Sequence, residues 1–134
     1  MKQILGQTIV STLLAANPYP GQQHTVQIIS IDDGRDYQCR PGELTIRSGD
    51  SVTWVNMLDE AIASDMTANI TAKRIPKGGE KFVSLPLQKK GDRWSQVFNT
   101  AGTYVYNCSR DPANHPGVIV VDKASPPFQM ENVD

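Results

Sequence analysis

The sequence predicts an all-β protein: one antiparallel sandwich of about seven short strands, with an extended arm at each end. Three observations lead there. β-branched and aromatic residues recur in short runs, turn residues separate those runs at regular intervals, and large apolar residues alternate within several of them. Alternation is the period of a strand that buries one face.

The first segment, residues 1–23, reads as an arm and linker. Ile4, Ile9, Val10, Leu13 and Leu14 are set to line one apolar face of a short helix, which needs a surface to bury against. Lys2, the apolar run and Ala15-Ala16 also give it the look of a secretory leader, but Gln7, Thr8, Ser11 and Thr12 interrupt the run. The favoured expectation is an uncleaved arm, with secretion or a periplasmic location as the alternative. Pro18, Pro20 and Gly21 then break any regular structure.

The folded domain is expected over residues 24–123. Its strands read HTVQIISI, ELTIR, SVTWVN, KFVSL, RWSQVF, TYVYNC and GVIVVD. Leu44 and Ile46, Val52 and Trp54, and Tyr104 and Tyr106 each place two large residues on one strand face, and these faces should meet in the core. Gly49-Asp50 is set to turn the chain between two core strands, and Trp54 to fill the interior. Residues 59–77 have no clean period and read as an irregular crossing. Residues 124–134 form a polar tail broken by Pro126 and Pro127.

Composition excludes several functions. Thirteen Lys and Arg against fourteen Asp and Glu leave a net charge of −1, so nothing draws nucleic acid or anionic lipid. No apolar run reaches the roughly 20 residues of a membrane helix. There is no GxSxG, no HExxH and no phosphate-binding glycine loop, so no enzymatic activity is expected. The carboxylates of Asp32, Asp33, Asp36, Asp59 and Glu60 read as solvated turn residues. Asn69-Ile70-Thr71 matches a glycosylation sequon, a pattern too common to carry localisation.

Three segments together resemble the cupredoxins, especially their plastocyanin and pseudoazurin branch. PGELTIRSGDSVTWVN, from Pro41 to Asn56, is similar to the early core strands of that family. AGTYVYNC is similar to the strand that delivers its copper cysteine, and GVIVVD to its last strand. The resemblance implies a cupredoxin-like Greek-key sandwich. It also implies where copper ligands should stand: two histidines, a cysteine and a weak axial methionine.

Counting from Asn56 puts Ala61 or Ile62 at the first histidine position, and counting from Cys108 puts Asp111 at the second; His115 stands near the axial methionine position. The favoured expectation is therefore a degenerate copper site with no cofactor. On that reading the chain is a non-catalytic structural or protein-binding module, self-assembling or docking through its arms as a subunit or cement of a larger assembly. The alternative is a copper-binding electron-transfer protein with an altered site of Cys108, His115, Asp111 and Glu60. A carboxylate donor of that kind resembles the red-copper relatives of the family.

Cys108 has three open readings: metal thiolate, buried small hydrophobe, or half of a disulfide with Cys39, which the resemblance places near the copper end of the sandwich. His24 opens the first strand and is expected at the surface. Met57, Met66 and Met130 read as gap-filling or exposed rather than as ligands.

Overall fold

The computed structural model describes residues 21–59, 67–110 and 115–124. Eight strands form two four-stranded sheets. They are β1 (Gln23–Ile31), β2 (Asp36–Arg40), β3 (Glu43–Arg47), β4 (Ser51–Asn56), β5 (Thr71–Arg74), β6 (Arg93–Val97), β7 (Gly102–Asn107) and β8 (Gly117–Asp122). One sheet has the order β2-β1-β4-β6 and the other β3-β8-β7-β5. β1 pairs with β4 and β3 with β8 in parallel; every other strand pairing is antiparallel. Gly21–Lys123 is one compact unit. The expected arms fall almost wholly outside the described residues, and among those residues no helix is long and apolar enough to cross a membrane.

The expected alternation is realised. Val52 and Trp54 are fully buried, as is Tyr106, while Ile46 and Tyr104 are 2% exposed and Leu44 packs at the core's margin. Trp54 lies at the centre of an aromatic cluster. Its ring centroid is 5.3 Å from Tyr106, edge-on, 5.6 Å from Trp94 and 5.9 Å from Phe82. Such pairs add to the burial of apolar area that already holds the two sheets together.

The turn at Gly49-Asp50 also forms: the Asp50 amide donates to the Arg47 carbonyl at 2.9 Å, and Gly49 takes φ 98°, a left-handed value that costs glycine least. The Asp50 carboxylate does more than turn the chain. It is buried and accepts from the amides of Gln22 (2.7 Å) and Arg47 (3.0 Å) and pairs with His24 Nε2 at 2.9 Å. His24 is thus no ordinary surface residue; its side chain is 24% exposed and holds the start of β1 to this turn.

Two strands were hidden in the sequence and one expected strand is absent. β2 lies in a segment opening with Asp36, which reads as a turn residue until its carboxylate is seen to be buried against backbone donors. β5 is a short edge strand of half-buried and exposed residues, so it has no apolar period to show. KFVSL forms no strand. It touches β5 through one bridge, Thr71 to Val83, and past Pro86, which has no donor, a second isolated bridge joins Leu87 to Ala68, so no continuous ladder forms.

Candidate metal centre

Cys108 directly follows β7 and is fully buried; it is bonded to Cys39 on β2, with Cα atoms 5.9 Å apart, within the range for disulfides. Of the three readings open to Cys108, the structure takes the disulfide. The bridge joins the two sheets at one end of the sandwich. A second tie runs beside it: Asp36 Oδ1 accepts from the amides of Tyr37 and of Arg110, each at 2.7 Å. The expectation of a solvated Asp36 is corrected here, because two backbone donors satisfy its carboxylate inside the protein.

The β7–β8 pairing ends at Tyr106 opposite Gly117. Cys108 and His115 lie two residues beyond that last pair, outside the ladder. His115 leaves strand geometry, with φ 45°, and is exposed. Gly117 is required by this closure: a Cβ there would fall within the Tyr106 ring, so only a glycine lets the two strands approach at this point.

The Tyr106 phenol is pushed up to about 12 by burial, an effect the neighbouring Trp54 indole partly opposes. Trp54 Nε1 and the Tyr106 hydroxyl are both buried, and neither has a hydrogen-bond partner of good geometry. Burial also raises Tyr37, whose hydroxyl accepts from the Asn69 amide at 3.3 Å. Asn56, fully buried, fixes the end of β4: its Nδ2 donates to the Leu87 carbonyl at 2.7 Å and its Oδ1 accepts from the Leu58 amide at 2.8 Å. The sequence showed Asn56 only as part of a motif; its role as the clamp between β4 and the 82–87 segment needed the structure.

The remaining expected donors are not brought together by the described residues. Glu60 and Asp111 lie outside those residues, as do Ala61, Ile62, Met66 and Met130. Asp59 is exposed and reaches Lys90 at 3.6 Å, and Met57 is 37% exposed. Among the described residues no three His, Cys, Asp or Glu side chains gather as a metal cluster. With the bridge closed, Cys108 has no thiolate to offer, so these residues as they stand do not fit a thiolate-bound copper.

Comparison with known proteins supplies what this end of the molecule does not. Residues 24–123 match the copper binding proteins of the plastocyanin/azurin family. Amicyanin of Paracoccus denitrificans is 29% identical over 112 residues, covering 82% of this chain and 78% of that protein. A purple cupredoxin from Nitrosopumilus maritimus is 31% identical with a TM-score of 0.51, over 72% of this chain and 98% of that one. An amicyanin variant in its reduced Cu(I) form is 25% identical with a TM-score of 0.53, over 81% and 89%.

These relatives overturn the expectation of a cofactor-free structural or cement module with a lost copper site. They point to copper and to redox proteins. The reason is physical: the ligand positions were counted forward from Asn56 and Cys108, past the ends of β4 and β7, and the chain length between strands is free to vary while the strands stay fixed. Through residues 24–123, nearly the whole of its folded unit, this chain belongs to the copper-binding plastocyanin/azurin family.

Proposed function

We propose that the chain is a copper-binding, one-electron carrier with an altered donor set, and not an enzyme. The observation that carries the reading is family membership combined with the place of Cys108, buried just past the end of β7. Bound copper would supply a one-electron Cu(II)/Cu(I) couple. The donors proposed are the Cys108 thiolate and the His115 imidazole, with Asp111 and Glu60 as carboxylates. Thiolate and imidazole are the soft and borderline ligands that copper prefers.

The Cys39–Cys108 bridge must open first. A dithiol reductant supplies two electrons and two protons, leaving two thiols on this chain and becoming a disulfide itself. The freed Cys108 would be able to hold copper as a thiolate. The hydrogen bond from the Arg110 amide to Asp36, which ties the same two segments beside the bridge, would help hold them while the sulfur is freed.

The test loads three forms anaerobically with copper and desalts them: the disulfide form, the dithiol form and Cys39→Ser. About one copper per chain in the last two, with an intense thiolate-to-copper absorption, is the expected result. Copper retained by none of the three would overturn the reading.

A further inference from the structure

The charge of this molecule is unevenly placed. Residues 73–93 carry seven Lys and Arg against Glu80 and Asp92, a net of +5, while the whole chain is −1, which leaves −6 to the rest. Every one of those seven basic residues is exposed. The segment runs from the edge strand of one sheet, β5, to the edge strand of the other, β6.

Two large apolar side chains stand out on it. Val83 is 65% exposed and Leu85 is 71% exposed, and Phe82, Ser84 and Leu87 point the other way, into the protein. The backbone shows why. Ala72 donates to the Phe82 carbonyl at 2.9 Å and Ser84 to the Ile70 carbonyl at 2.8 Å, which flank Thr71 and Val83 as a directly opposed antiparallel pair. Lys81 and Leu85 lie two residues either side of Val83, as Lys73 and Asn69 do of Thr71. Exposed Asn69, Lys81, Val83 and Leu85 alternate with buried Ala68, Ile70, Phe82 and Ser84, and Lys73 is exposed on the adjoining edge strand.

We infer that this face, with Val83 and Leu85 at its centre and Lys73, Lys81 and their basic neighbours around it, docks an acidic protein surface that presents an apolar residue among carboxylates. An apolar centre with a charged rim is the build of a protein contact, the charges steering encounter and the apolar contact holding the complex. No aromatic side chain is exposed on this face for a base to stack on, which argues against a single-stranded nucleic acid. The inference does not depend on copper and stands or falls separately from the proposed carrier role.

The test uses two synthetic peptides of equal charge, one of Glu and Gly and one of Glu and Leu, titrated into the isotopically labelled disulfide form and followed by NMR. The Glu-Leu peptide is expected to bind more tightly, with shifts concentrated in residues 69–93. Lys73→Glu with Lys81→Glu should weaken it about tenfold, as expected for two contact charges. Leu85→Ser should weaken it about fivefold and erase most of the advantage over the Glu-Gly peptide. Unchanged melting curves of these exposed-site variants confirm that the fold is intact. Shifts spread over the whole surface, equal affinity for both peptides, or tighter binding to phosphatidylglycerol vesicles than to the Glu-Leu peptide would each overturn the inference.

Discussion

Cys39 on β2 is bonded to Cys108 just past the end of β7, across 69 positions of sequence, and so ties one sheet to the other at the end where the family's copper cysteine stands. Closing so long a loop restricts the unfolded chain strongly. Cys39→Ser is expected to lower the unfolding free energy by about 4 kcal/mol, on the loop-entropy argument. Denaturant melts of the wild type with and without reductant check it; a change below about 1 kcal/mol would mean that the bridge constrains little.

Tyr106 sets the alkaline limit of the fold. Its phenol, raised to about 12 from an ordinary 10.0 by burial, stays protonated in the folded state at pH values where the unfolded chain already ionises. Stability is therefore full below about pH 10 and falls as pH rises through 12, by about 3 kcal/mol from this group. Burial moves Tyr37 and Tyr104 the same way. Tyr106→Phe should remove most of the slope. At neutral pH it should be neutral or stabilising by up to about 1 kcal/mol, because the hydroxyl it deletes has no hydrogen bond. Melts between pH 8 and pH 12 read both effects.

Trp54 is the anchor of the aromatic core and is fully buried. Trp54→Ala should cost about 3 to 5 kcal/mol, the range for a buried large aromatic. The check is chemical denaturation followed by far-ultraviolet circular dichroism, since Trp94 also contributes to fluorescence. A loss below about 1 kcal/mol would contradict the packing described.

The core strands were legible because burial imposes a period on sequence: Val52 with Trp54 and Tyr104 with Tyr106 announce their faces. β5 was not legible, since an edge strand of Thr71, Ala72, Lys73 and Arg74 buries too little to show one. β2 was masked by Asp36, a carboxylate whose burial depends on the Arg110 amide far along the chain. His24 was misread for the same kind of reason, as its partner Asp50 lies 26 positions away. Site chemistry was the least legible part. The strand that leads to Cys108 can be read from pattern, but whether that sulfur meets Cys39 or a metal is decided by contacts between distant segments.

The most direct test of the carrier reading compares Cys39→Ser with Cys39→Ser/Cys108→Ser, each loaded anaerobically with copper and examined by visible absorption and electron paramagnetic resonance. The account expects a thiolate-to-copper band in the first protein, bleached by one electron per copper and restored by reoxidation, and no such band in the second. The same spectrum in both proteins would show that Cys108 does not bind the metal, and no copper signal in either would show that this chain does not carry it.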